Sequence, residues 1–257
     1  MPTFKIVLAY DGTDFVGWQR QANGTSIQGV LEDALRDLDQ RDVAVAGAGR
    51  TDAGVHALGQ VAAFSLARAL SADAVVRALN AHLPDAIRVQ SAEEVASEFH
   101  PRFGARTKAY RYRIWNGDVI SPFERRYAWH VSGALDVEAM AAAAGSLVGA
   151  HDFAAFQASG ASTSTTERVV FSSLVSRLSN HEPLVLYEVT GGGFLRSMVR
   201  IIVGTLVEIG RGRRPAAWMD DVLASRDRAL AGPTAPPEGL FLVGVEYETE
   251  KSESSHF

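Results

Sequence analysis

Short runs that alternate apolar and polar residues are interleaved along this chain with longer stretches whose apolar residues recur every three or four positions. The first pattern predicts strands and the second amphipathic helices. Phe4 to Tyr10 reads as a strand with Phe4, Ile6, Leu8 and Tyr10 on one side. A helix is expected from Thr25, where Thr25 and Gln28 have capping-box spacing, with Ile27, Val30, Leu31, Ala34, Leu35 and Leu38 on its inner face. Glu32, Asp33, Asp37 and Asp39 fall away from that stripe or at its rim, an acidic face that should point away from any nucleic acid. A short strand near 43–46, a glycine-rich loop and a strand near 60–66 follow. Ser71 can cap a second helix, which faces inward through Val75, Val76 and Leu79 and stops at Pro84, and Ile87 to Val95 reads as a fourth strand. Strand, helix, strand, strand, helix, strand is the ferredoxin-like order.

Around Pro101 to Gly104 the chain is expected to change lobe. Thr107 to Trp115 is a strong strand, with Tyr110 and Tyr112 on one face and Arg111 and Arg113 on the other. Asp136 caps a helix facing inward through Val137, Met140, Ala141, Ala144, Leu147 and Val148. Val169 to Leu178 and Leu184 to Thr190 form a hairpin turning at Asn180-His181-Glu182-Pro183. Three glycines, 191 to 193, lead to a long helix over about 194–210 that is apolar on most sides, Pro215 opens another to about 225, and Leu240 to Tyr247 is the last strand. The expectation is an α+β fold of two related lobes, 1–104 and 105–247, whose sheets join edge to edge, followed by a polar, disordered tail over 248–257. The Ser- and Thr-rich stretch 158–166 reads as a loop that is mobile or ordered only by a ligand.

Composition narrows the function classes. The 257 residues, 47% hydrophobic and 21% charged, are ordinary for a globular protein with ample core. Cysteine is absent, which excludes a disulfide framework and a thiolate metal site. No apolar run is long enough to cross a bilayer and no signal-peptide pattern opens the chain, so a soluble cytoplasmic protein is the expectation. The seven histidines lack metal-binding spacing, no metal is expected, and His56 reads as a hydrogen-bonded loop residue. A net charge of −5 argues, taken whole, against a nucleic-acid partner. Its distribution argues the other way: Arg102 to Arg113 holds five basic residues and no acid, and Arg196 to Arg214 holds five against the single Glu208. Such patches either attract a polyanion or are solvated faces.

The candidate chemistry lies in the stretch from Ala46 to Gln60, where four glycines surround Arg50, Thr51, Asp52 and His56. It lacks the pattern of a phosphate loop. It is either a turn-rich strand connection or a loop that holds a carboxylate two residues from a permanent cation. On the helix expected at 194–210, Arg196 and Arg200 sit four apart and so share a face. An arginine there cannot shed its charge and needs an acceptor. Asp52 is one candidate; solvent or a main-chain carbonyl are the others.

Several pieces together resemble one family. They are Tyr10-Asp11-Gly12 with Gly17-Trp18-Gln19-Arg20-Gln21, Gly49-Arg50-Thr51-Asp52-Ala53-Gly54-Val55-His56, Phe99-His100-Pro101-Arg102-Phe103, Tyr110-Arg111-Tyr112, His151-Asp152-Phe153, Met198-Val199-Arg200 and Glu238-Gly239-Leu240. In this order and spacing they are similar to the bacterial TruA-type tRNA pseudouridine synthases over about residues 4–247. The resemblance implies two ferredoxin-like or RRM-like lobes sharing a mixed, mainly antiparallel sheet with helices on one face. It implies isomerisation of uridines 38, 39 and 40 in the anticodon stem-loop of tRNA, by a homodimer and without cofactor or metal. Residue by residue, it makes Asp52 the nucleophile and Arg200 its basic partner. Arg50 would hold the RNA and help extrude the target, Tyr110 would stack on the uracil, and Leu240 would line the other side of the pocket. The basic run 102–113 with Arg211, Arg213 and Arg214 would meet phosphates. One departure is Arg196-Ser197, where relatives often carry histidines. The competing readings are a non-catalytic RRM-like RNA-binding module and a carboxylate hydrolase acting on a nucleoside; the second lacks a further carboxylate near Asp52 in sequence.

Overall fold

The period-two runs pair into one sheet, and the amphipathic stretches pack their apolar stripes against it. This is seen in a computed structural model that describes residues 1–160, 163–178 and 183–248. In chain order the elements are β1 (Thr3–Tyr10), α1 (Ile27–Asp39), β2 (Ala46–Gly47), β3 (His56–Ser65), α2 (Ala72–His82), β4 (Ile87–Val95), β5 (Ala105–Trp115), β6 (Trp129–His130), α3 (Val137–Gly145), β7 (Gly149–Asp152), β8 (Glu167–Arg177), β9 (Leu184–Gly191), α4 (Met198–Gly210), α5 (Trp218–Ser225) and β10 (Leu240–Tyr247). The sheet runs β4-β1-β3-β10-β5-β9-β8-β7, with β2 beside β3 and β6 beside β5. Its pairings are antiparallel except β3 with β10 and β5 with β6. The mixed, mainly antiparallel α+β sheet expected from sequence is therefore present.

The splice between the two halves of the sheet follows from one short strand. β2 pairs only Ala46 with Ala63 and Gly47 with Ala62 before the glycine-rich loop turns the chain away. The His56 end of β3 is left open, and β10 fills it, with Phe241 opposite His56 and Leu242 opposite Ala57. The strand expected at 43–46 is thus displaced: Val43 and Val45 are buried in the core but stand outside the ladder.

Local chemistry moves other boundaries. The first helix is capped by Ser26, whose hydroxyl accepts the Gly29 N–H, so the expected Thr25–Gln28 box does not form. Gln28 lies one position too early to reach back; it accepts the Arg20 N–H and donates to the Val45 carbonyl. The helix expected from 194 begins at Met198, because Ser197 takes a left-handed conformation with φ 56° and breaks the spiral. Arg196 therefore lies off the helix and does not share a face with Arg200. Pro215 is not the first residue of α5 but accepts the Trp218 N–H from the turn before it. Strands β6 and β7, of two and four residues, were not expected from sequence. The tail beyond 248, hairpin-turn residues 180–182, and residues 161 and 162 of the Ser/Thr-rich loop lie outside the described residues.

The helix α4 is the rigid piece behind the site. Ile201, Ile202, Val203, Leu206 and Val207 have no exposure at all. Burial on that scale contributes about 1.5–3 kcal/mol per large side chain, enough to hold the helix's first turn in place. Among the described residues no helix is long and apolar enough to cross a membrane.

Candidate active site

The loop between β2 and β3 is held from behind by polar groups on β1 and β3. The Tyr10 hydroxyl and Thr51 Oγ1 are 2.9 Å apart, and Gln60 donates its amide to the Gly49 carbonyl at 2.9 Å. The Trp18 N–H donates to the Thr51 carbonyl at 3.1 Å. Gly17, at φ 104°, allows that approach: a Cβ there would sit 2.6 Å from the Thr51 carbonyl oxygen. Gly54, at φ 76°, then reverses the chain, and the Val55 N–H closes the turn on the Asp52 carbonyl. Phe15 and Trp18, the loop aromatics of the preceding segment, are buried as packing beneath this structure.

Asp52 thus stands at the tip of a braced turn with its side chain 29% exposed. Its Oδ2 accepts two hydrogen bonds, from Ser197 Oγ at 2.8 Å and from Arg200 Nη1 at 3.0 Å. Arg200 also donates Nε to the Ala235 carbonyl at 2.8 Å, so its fork bridges the carboxylate and the main chain. The two acceptors weighed for Arg200 from sequence, Asp52 and a main-chain carbonyl, are both used. Oδ1 takes no hydrogen bond among the described residues.

Ser197 is the residue that sequence reasoning missed. A serine before a helix ordinarily accepts a hydrogen bond from the first turn. This one makes no such capping bond, and its hydroxyl is turned to Asp52 instead. The signal was available only as a departure, a serine where relatives often carry histidine.

Tyr110 is buried on β5, and its ring meets Phe194 edge-on with centroids 5.1 Å apart. Burial pushes its phenol far above the ordinary tyrosine range, and neighbouring Tyr10 and Asp52 add to the rise, so the ring is neutral. Leu240 is buried opposite Tyr112 in the β5–β10 pair, with Leu242 opposite Tyr110; Leu240 therefore lies diagonally from Tyr110 on the same face. Arg50 is exposed at the rim of the loop and has no side-chain hydrogen bond among the described residues. His56 is pinned: Nδ1 accepts the Gly12 N–H at 3.0 Å, Nε2 lies 3.0 Å from the Arg126 carbonyl, and the ring stacks on Phe241. Burial pushes its pKa down against the pull of Asp11, which favours a neutral structural histidine.

The basic runs divide. Arg111 pairs with Glu188 at 2.8 Å, Arg113 with Glu124 at 2.6 Å, and Arg106 with Glu248. Arg213 pairs with Glu208 at 2.9 Å, and Arg214 lies over the Trp218 ring. These cations have partners within the chain, whereas Arg102 and Lys108 have no carboxylate partner among the described residues. A groove of about 1070 Å³ between β7, β8 and α5 contains none of Asp52, Tyr110 or Arg200. The candidate residues lie instead where the loop, the sheet and α4 meet.

Comparison with known proteins places this geometry. Residues 6–104 and 143–248 match the family described as tRNA pseudouridine synthase. The tRNA pseudouridine synthase A of Myxococcus xanthus is 51% identical over 247 residues, covering 96% of this chain and 92% of that protein. Those of Geotalea uraniireducens and Geobacter sulfurreducens are each 47% identical over 247 residues, covering 96% of this chain and all of theirs. Matches of this extent show that the chain belongs to the tRNA pseudouridine synthase family and is an enzyme that isomerises uridine in tRNA.

Proposed function

We propose that the enzyme converts uridines 38, 39 and 40 of the tRNA anticodon stem-loop to pseudouridine, with Asp52 as its nucleophile. The observation that carries this reading is the partly exposed carboxylate itself, with Oδ2 held by Ser197 and Arg200 and Oδ1 without a hydrogen bond among the described residues. Uridine and pseudouridine are isomers. The N1–C1′ bond breaks, the uracil turns, C5 bonds to C1′, the C5 proton leaves and N1 gains one. Atoms and electrons balance without an oxidant or a second substrate. Attack at ribose C1′, addition at uracil C6 and proton removal along a glycal route all begin from an ionised carboxylate against one face of the nucleotide, and all return it unchanged.

A base inside the stem is out of reach until it is flipped, at a cost of a few kcal/mol. In this reading exposed Arg50 steadies the RNA and helps to extrude the target. The neutral ring of Tyr110, braced by Phe194, stacks on the uracil, and Leu240 lines the other wall. Arg200 compensates the charge of the carboxylate before and after the reaction. The enzyme acts as a homodimer in the cytoplasm, with both subunits lining the tRNA path.

The test is release of tritium from tRNA labelled at uridine C5. Wild type releases it and Asp52→Ala does not, while tRNA binding persists in both. Full release by the variant would remove the assignment. Free uracil as the product would favour the hydrolase, and unchanged binding without any release from wild type would favour a binding module.

A further inference from the structure

Lys108 stands beside Tyr110 and feels the charges of Arg168 and Arg102, and none of the three has a carboxylate partner recorded among the described residues. Lys108 lies on the Tyr110 face of β5, opposite Gly191 of β9 and Val245 of β10. A Cβ placed on Gly49 would be 3.8 Å from Lys108 Nζ and 3.9 Å from the Tyr110 hydroxyl, so the ammonium overhangs the loop that carries Asp52. Arg168 opens β8, and its stem packs over Gly193: Cδ and Nε are each 3.9 Å from the Cβ position there, two residues beyond the glycine paired with Lys108. Its guanidinium donates to the Thr165 carbonyl at 3.0 Å, a neutral acceptor. Arg102 is exposed in the turn before β5. The three come from separate segments, whereas Arg106, Arg111 and Arg113 of the same basic run each have a glutamate.

Such a cluster is costly. Burial, with the charges of Arg102 and Arg168, pushes Lys108 down to about 8, and burial with Arg102 lowers Arg168 as well. A half-buried amine held among like charges fits a function that brings its counter-ion from outside the chain. The neighbouring large groove also borders Arg168, but Asp152, Glu167 and Asp220 line it too, and these carboxylates repel a polyanion.

We infer that Lys108, Arg168 and Arg102 together bind one phosphate of the RNA strand next to the extruded uridine, and so set where the nucleotide enters the cleft. This rests on the isomerase reading above, because it places the uracil on Tyr110. The ligand is a single phosphodiester, and the three residues position substrate without touching the reacting atoms.

Anticodon stem-loop RNAs carrying one methylphosphonate, walked across the phosphates around the target uridine, test it. Binding and tritium release are measured for wild type, Lys108→Met, Lys108→Arg and Arg168→Gln. At one position, neutralising the phosphate should weaken wild-type binding about tenfold, as loss of a charge-assisted contact does. The same change should cost Lys108→Met or Arg168→Gln less than it costs wild type, by about twofold or more, because one of the three contacts is already gone. The slope of log binding constant against log salt should become less negative by about 0.7–0.9 in Lys108→Met and be restored in Lys108→Arg. Its kcat at saturating RNA should stay near wild type while KM rises. Equal losses in variant and wild type at every position, or an unchanged salt slope, would overturn the phosphate site. Should Lys108→Met fail to fold, Arg168→Gln at the sheet edge carries the same coupling test. Absence of tritium release from wild type sinks the isomerase reading alone, since the coupling of phosphate to Lys108 is read from binding.

Discussion

Ser197 separates a role in reactivity from a role in stability. Its backbone is left-handed at φ 56°, ψ 10°, a conformation that costs a residue with a Cβ about 1–2 kcal/mol. Its hydroxyl donates to Asp52 Oδ2 at 2.8 Å and caps nothing. A hydrogen bond to a charged group is worth about 1.5–3 kcal/mol. Here the carboxylate side chain is 29% exposed, so water partly replaces the donor and the low end applies. Ser197→Ala removes the hydroxyl and keeps the strain. Ser197→Gly removes both, returning about 1–2 kcal/mol of strain against about 0.4–1 kcal/mol of added chain entropy in the unfolded state. Both variants should therefore lose about tenfold in single-turnover tritium release, since about 1.4 kcal/mol is a factor of ten. The glycine variant, which loses the same hydroxyl but also sheds the strain, should unfold at a higher temperature than the alanine variant. Release rates within twofold of wild type in both variants would refute the assignment of the hydroxyl to the carboxylate. Loss in the alanine variant alone would move the effect to the backbone.

Arg200→Lys should lower kcat/KM by tenfold or more, because a single ammonium cannot serve both the Ala235 carbonyl and Asp52 as the fork does; wild-type kinetics would contradict this. Tyr110→Phe should keep most of the affinity for an anticodon stem-loop, and Tyr110→Leu should lose the roughly 1–3 kcal/mol that stacking supplies, read from dissociation constants. If leucine and phenylalanine bind alike, the ring does not stack. Burial lowers the His56 pKa from its ordinary 6.5, so below 6.5 the unfolded chain takes up a proton that the folded chain refuses. Stability from this residue is full above 6.5 and lost as pH falls, whereas Asp11, held below 3.8, stays ionised over that window. The melting temperature should fall from pH 7.5 to 5.5, and the fall should be smaller in His56→Gln; parallel curves would exclude His56 as the group responsible.

What could be read in advance follows the range of the interaction. The alternation in β5 that sets Tyr110 and Tyr112 against Arg111 and Arg113 is local, and so were the bounds of β4 and β10. β6 and β7 were missed because two and four residues are too few to establish a period. The start of α4 was missed because apolar periodicity runs straight through Phe194 and Leu195, while the break depends on one backbone angle at Ser197. That angle serves a partner 145 residues away, and no window along the chain sees it. The Arg200–Asp52 pair spans 148 residues and was still accessible, for a different reason: an arginine on an almost wholly apolar helix needs an acceptor, and the glycine-rich loop offers Asp52. The pairing of Arg111 and Arg113 was not legible because their glutamates come from other segments.

The precision required of Asp52 cannot come from the polar contacts that touch it. Both are partly exposed, which leaves each worth about 1.5 kcal/mol at most. Two stiffer pieces meet at the carboxylate instead. One is the turn braced on β1 and β3 through Tyr10, Thr51 and Gln60, all buried. The other is the first turn of α4, which presents Ser197 and Arg200 to the same oxygen and is anchored by a run of side chains with no exposure. These pieces are far apart in the chain, and β10, lying between β3 and β5, sets their separation. The last strand of the fold thus completes the sheet that brings both pieces to one carboxylate, and the placement of Asp52 draws on apolar burial remote from the polar groups that touch it.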